Sequence, residues 1–128
     1  MRALLFLLII PLLGHAEEYQ WKPVCDQDMR SITICSGEKY RFYDDILNQL
    51  YQQQMEYLQT ATRQELLREA LLSWLEFRAI VCTYSIGKRE DSGSIWRASY
   101  NSCLTDRTMA RIKDLKQFVG CRDNGCAY

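Results

Sequence analysis

Histidine is all but missing from this chain. The single one, His15, falls within the first sixteen of 128 residues. Proline is nearly as scarce, with Pro11 and Pro23 alone, and only six residues are glycine. Neither sign of charge is in excess, because 16 Lys and Arg face 16 Asp and Glu. Each shortage excludes something. A balanced chain has no electrostatic case for nucleic acid or for an anionic membrane surface. The absence of proline after position 23 removes the strongest breaker of helices. Catalytic signatures are missing too: there is no nucleophile elbow, no Gly-rich phosphate loop and no H-E-x-x-H.

What is present begins with an apolar run. Arg2 supplies a positive start, residues 3–13 are interrupted only by Pro11, and Gly14-His15-Ala16 gives small residues at the −3 and −1 positions of a cleavage site. This is the layout of a secretory signal peptide, residues 1–16. The run is too short for a bilayer, which needs roughly 20 apolar residues. No stable membrane insertion is therefore expected after cleavage. Residues 17–128 would form one domain, located in the periplasm or secreted. Cleavage would remove the only histidine, and losing Arg2 would leave 15 basic residues against 16 acidic ones.

Six cysteines lie in that remainder: Cys25, Cys35, Cys82, Cys103, Cys121 and Cys126. An even count in a small exported chain reads as a disulfide framework. With no C-x-x-C and no histidine, a zinc site is not expected.

Hydrophobic periodicity divides the rest into three helices. The first is expected over 38–59, with Ser36 as N-cap and Tyr40, Tyr43, Leu47, Leu50, Met55 and Leu58 near helical spacing. The second is expected over 62–87, opened by the capping box Thr62-Arg63-Gln64-Glu65 and stopped at Gly87. Its apolar face is broad, which predicts packing between two neighbours. The third is expected over 95–119, capped by Ser92 or Ser94 and stopped at Gly120. The fold class is all-α: three antiparallel helices joined by short connections, with an irregular N-terminal arm, stapled by disulfides. In a helix hairpin Cys82 and Cys103 fall at comparable heights, so they are the natural pair. Cys25 with Cys35 would close the arm, and Cys121 with Cys126 the tail. A competing pairing joins Cys25 to Cys121 or Cys126.

Polar residues on otherwise apolar faces are the informative exceptions. Asp44, Leu47, Asn48 and Tyr51 share one face of the first helix, and Trp74, Arg78 and Cys82 one face of the second. Cys103, Thr108, Arg111 and Leu115 lie near one stripe of the third. Asp44, Asn48, Arg78, Thr108 and Arg111 are expected to form a structural polar network, because buried charges must be paired. A catalytic reading of Asp44 lacks a histidine and a second carboxylate on its face. Lys88-Arg89-Glu90-Asp91 is a charged tip on a stapled hairpin, and is the candidate partner-binding loop. Trp21 and Trp96 lie outside the main stripes and are candidate anchors.

These motifs together resemble the LprI-like lysozyme inhibitors. The resemblance rests on Asp44-x-x-Leu47-Asn48-x-x-Tyr51, on Trp74, Arg78 and Cys82 at four-residue steps, and on Cys103-Leu104, Thr108, Arg111 and Leu115. The pair Cys25 and Cys35 fits as well. The chain departs in having Ala79 where the family commonly has Asp, and the tail pair Cys121 and Cys126 lies outside the pattern. The resemblance implies an exported bacterial binding protein that inhibits lysozyme or a related peptidoglycan hydrolase. The alternative is an envelope interaction or immunity protein for another partner. Either way the expectation is a protein partner, no cofactor, no metal and no enzymatic activity.

Overall fold

A computed structural model describes residues 18–127; the expected signal peptide, residues 1–16, lies outside them. A short 3-10 turn, Pro23–Asp26, leads into α1, Met29–Tyr57. Then follow α2, Ala61–Ile86, a 3-10 turn at Arg89–Asp91, and α3, Trp96–Gly120. Among the described residues the fold is all-α, as the periodicity requires.

The first helix starts nine residues earlier than its apolar spacing suggests. Its cap is Asp28, whose carboxylate accepts from the Ser31 amide at 2.7 Å while the Asp28 amide donates to the Ser31 hydroxyl at 3.0 Å. This reciprocal box satisfies two of the amides that a helix start leaves without partners. Ser36 is therefore no cap. It is buried mid-helix, with its hydroxyl turned back to the Thr33 carbonyl. The second helix is capped by Thr60, whose hydroxyl accepts from the Arg63 amide at 3.2 Å, in place of Thr62. Gly87 ends it at φ +92°, a conformation that suits glycine. No side chain caps α3; Ser92 instead donates to the Lys88 carbonyl inside the preceding turn.

Consecutive helices run antiparallel, so α1 and α3 run parallel, and these two form the most extensive interface. Ser36 meets Asn101 at one end, and Gln54 meets Arg122 at the other. Gly37 lies beside this contact, and a Cβ there would lie 3.4 Å from the Asn101 side-chain nitrogen, at the edge of ordinary van der Waals contact. The buried core is Tyr43 and Leu47 from α1 with Ile112 and Leu115 from α3. Leu47 and Leu115 are each about 99% removed from water. Full burial of such a side chain stabilises by roughly 1.5–3 kcal/mol.

The second helix departs from expectation. It leans chiefly on α3 along one stripe, and its only buried residues are Arg78 and Cys82. Leu66, Leu72, Phe77, Ile80 and Tyr84 are exposed. The broad apolar face reflects one buried stripe and a second stripe left open, and α2 is not sandwiched.

The disulfides pair locally: Cys25 with Cys35, Cys82 with Cys103, and Cys121 with Cys126. The arm-to-tail alternative is not adopted. Cys25 and Cys82 are fully buried, whereas Cys121 is exposed. The arm is fixed by Tyr19 as well. Its ring packs edge-on against Phe42, its amide donates to the Tyr43 hydroxyl, and its own hydroxyl donates to Glu38.

Candidate functional site

Arg78 sits where the three helices meet. Its guanidinium donates to the Asp44 carboxylate of α1 at 2.8 Å and to the Thr108 hydroxyl of α3 at 2.9 Å. The Thr108 hydroxyl in turn donates a hydrogen bond to the Leu104 carbonyl at 2.7 Å. Aromatic rings supply further contact, with Trp74 centred 4.8 Å and Tyr40 5.3 Å from the guanidinium carbon. Burial pushes the Tyr40 phenol above its ordinary range; the charge on Arg78 opposes that rise and the charge on Asp44 adds to it.

Three of the five residues expected in the polar network thus come together: Asp44, Arg78 and Thr108. The other two do not. Asn48 is exposed, on the wall of an open groove between α1 and α3. It follows Leu47, which takes the core direction, so the turn of the helix carries Asn48 away from Arg78. Arg111 points its guanidinium toward Asp114 on its own helix at 3.6 Å and lies 6.0 Å from the Trp74 ring. Its Nε is buried with no hydrogen-bond partner among the described residues.

Asp44 is tied to Arg78, its neighbour Asp45 is exposed, and all six cysteines are in disulfides. Among the described residues no three potential metal ligands cluster, and no helix is long and apolar enough to cross a membrane.

At the far end of the α2–α3 hairpin the charged tip is held from both sides. Lys88, Arg89, Glu90 and Asp91 are all exposed. Beneath them the Trp96 indole donates to the Gly87 carbonyl at 2.9 Å and stacks on Tyr100 at 4.8 Å. Arg89 and Arg97 both lie over the Trp96 ring. Trp96 therefore braces the tip and is not a free anchor. Trp21 is similarly engaged, donating to the Asp26 carboxylate. Cys82–Cys103 crosses the hairpin below the tip. Beside it a shallow apolar basin is lined by Ala79, Ile80, Thr83 and Tyr84 and rimmed by Lys88 and Asp91.

Periodicity did not disclose the exposed stripe of α2, because buried and open apolar stripes look alike in sequence. The one available signal was the breadth of its apolar face.

No curated protein and no solved structure gives a significant match to the chain. A family model, that of lysozyme inhibitor LprI, matches residues 25–115. That span runs from the first disulfide through Arg78 and its partners to Leu115 in the core. The chain belongs to the LprI family of lysozyme inhibitors.

Proposed function

We propose that this protein is an exported binding protein that blocks lysozyme or a related peptidoglycan hydrolase by occupying its surface. The family match across 25–115 carries the reading. The structure is compatible with it in physical terms. Three disulfides, a braced tip and a buried Arg78 cross-tie give a rigid body that would lose little conformational entropy on binding. The expected binding loop, Lys88 to Asp91, stands at the exposed end of that body. Cysteines paired throughout suit an oxidising compartment, which supports export.

The test uses purified, oxidised protein in micromolar excess over a chicken-type lysozyme, with the clearing of a bacterial wall suspension as the readout. A dose-dependent loss of clearing is expected. Unchanged clearing across lysozyme types would end the hydrolase reading. Recovery of one stoichiometric partner of another kind from the periplasm would then favour an envelope or immunity role.

A further inference from the structure

We propose that Cys121–Cys126 is a thiol-exchange site, which takes a thiolate from a small thiol or from a dithiol protein, and that its opening releases the contact tying the tail to α1.

The three disulfides differ in access. Cys25 and Cys82 are fully buried and Cys35 is 6% exposed, whereas Cys121 is exposed and Cys126 half-buried. A disulfide opens by attack of a thiolate on one sulfur, so access decides which bond exchanges. The tail bond also contributes least to the fold. It links positions 5 apart, against 10 and 21 for the others, and a shorter loop constrains the unfolded chain less. Tyr43, Leu47, Ile112 and Leu115 of the core all precede it. It lies beyond residues 25–115, the span that the family model matches. Exposed disulfides are the labile ones.

Position sets the direction of exchange. Cys121 directly follows Gly120, the last residue of α3. A thiolate on Cys121 would face the negative end of that helix, whereas one on Cys126 stands five positions further on. Attack at Cys121, the more exposed of the two, therefore gives the better leaving group. The incoming sulfur bonds to the Cys121 Sγ, the Cys121–Cys126 bond breaks, and its electron pair leaves on Cys126 as a thiolate. A monothiol stops at this mixed disulfide. In a dithiol protein the second thiolate attacks the bridging sulfur of its own chain and frees Cys121. Both cysteines are then reduced, and the pair of the other protein is oxidised.

Arg122 converts opening into a change of structure. It lies inside the loop, and its guanidinium donates to the Gln54 Oε1 of α1 at 3.2 Å. It also donates to the Phe118 and Cys121 carbonyls at 3.0 and 2.8 Å, and sits 3.6 Å over the Tyr57 ring. Gln54 is 3% exposed, so its side-chain oxygen loses a buried partner when Arg122 leaves. The disulfide holds the backbone on both sides of Arg122. With the bond open that backbone gains freedom, and the contact of tail with α1 weakens. Ser36 and Asn101, at the other end of α1 and α3, are untouched.

The experiment treats oxidised protein with reduced glutathione in one arm and with a reduced thioredoxin-type protein in the other. Acid quenching, alkylation and mass spectrometry then map each cysteine. The tail bond should open at least about 10-fold faster than the other two, with glutathione mainly on Cys121 and alkylation mainly on Cys126. Opening by glutathione alone identifies a small thiol as the source, and opening by the dithiol protein alone identifies a protein. Similar rates for all three bonds, or no opening in either arm, would overturn the site. Hydrogen exchange reads the release. Amides from Gln54 to Leu58 should exchange several-fold faster in the opened protein, in Cys121→Ser with Cys126→Ser, and in Arg122→Gln with the disulfide intact, while those beside Leu47 stay unchanged. An opened tail that leaves Gln54 to Leu58 as slow as before would overturn the coupling.

Discussion

Replacing Arg78 by methionine keeps a long side chain in place and removes its charge. Three contributions go with it. Two hydrogen bonds to a charged group, one to Asp44 and one to Thr108, are each worth roughly 1.5–3 kcal/mol. The ring contacts with Trp74 and Tyr40 add about 0.5–2 kcal/mol. Against these stands the cost of burying the ion, which the variant no longer bears. Removing one partner of a buried pair leaves the other unpaired, at about 3–5 kcal/mol. The Asp44 side chain is 28% exposed, so water takes up part of its released charge. The expected loss for Arg78→Met is therefore about 2–4 kcal/mol. Asp44→Asn keeps an acceptor oxygen and should cost only about 1–2 kcal/mol. In a double-mutant cycle the coupling between the two should be about 1–2 kcal/mol. Urea unfolding followed by circular dichroism, with an unchanged slope, measures all three. A loss below about 1 kcal/mol for Arg78→Met, or no coupling, would refute the cross-tie. If the proposed lysozyme inhibition is found, its loss in a stably folded Arg78→Met would show that the cluster serves binding as well as folding.

Three further outcomes are expected. Cys82→Ser with Cys103→Ser reopens a link between positions 21 apart, and should lower stability by about 3 kcal/mol on the loop-entropy relation, read as a fall in the urea midpoint. On mild reduction, alkylation and mass spectrometry should find Cys121–Cys126 opened first, because Cys121 is exposed while Cys25 and Cys82 are buried; simultaneous loss of all three would contradict this. Two pH limits follow from opposite shifts. Burial raises Tyr40 in the folded state, so its contribution is complete below about pH 10 and is lost as pH rises beyond, a decline that Tyr40→Phe should remove. The Ser31 amide and hydroxyl lower Asp28, so its contribution is present above about pH 4 and is lost as pH falls through the depressed value. Asp28→Asn should flatten that acid limb of the thermal midpoint.

The number of helices, their approximate centres and the Asp44–Arg78–Thr108 contact were legible because each depends on helical spacing. The start of α1 was not. Its first turns hold Ile32, Thr33 and Ile34, which favour helix weakly, and then Ser36-Gly37, which reads as punctuation. The structure uses Ser36 to meet Asn101 of α3, a tertiary cause that no local pattern carries. Thr60 and Thr62 are rival caps two residues apart, and the Glu65 box favoured the wrong one. Glu65 pairs with Arg68 instead. In the candidate site, the placement of Asn48 and Arg111 failed for a shared reason. Membership of a stripe fixes direction only within a broad arc, and a guanidinium or amide at its edge can turn to solvent or to its own helix.

The parallel contact of α1 with α3 has a consequence for the order of assembly. The two helices that form the core are the first and last made, and Ser36 waits for Asn101, 65 positions later. Without α3, α1 keeps Cys25–Cys35, the Tyr19 contacts and the Arg78–Asp44 pair from α2, but none of its core partners. A chain cut anywhere before Ile112 would lack half of its core, and no pair of adjacent helices could stand in for the whole. The fold is closed by its first and last helices, and α2 lies against them as a strap whose inner edge is tied down and whose outer edge stays open.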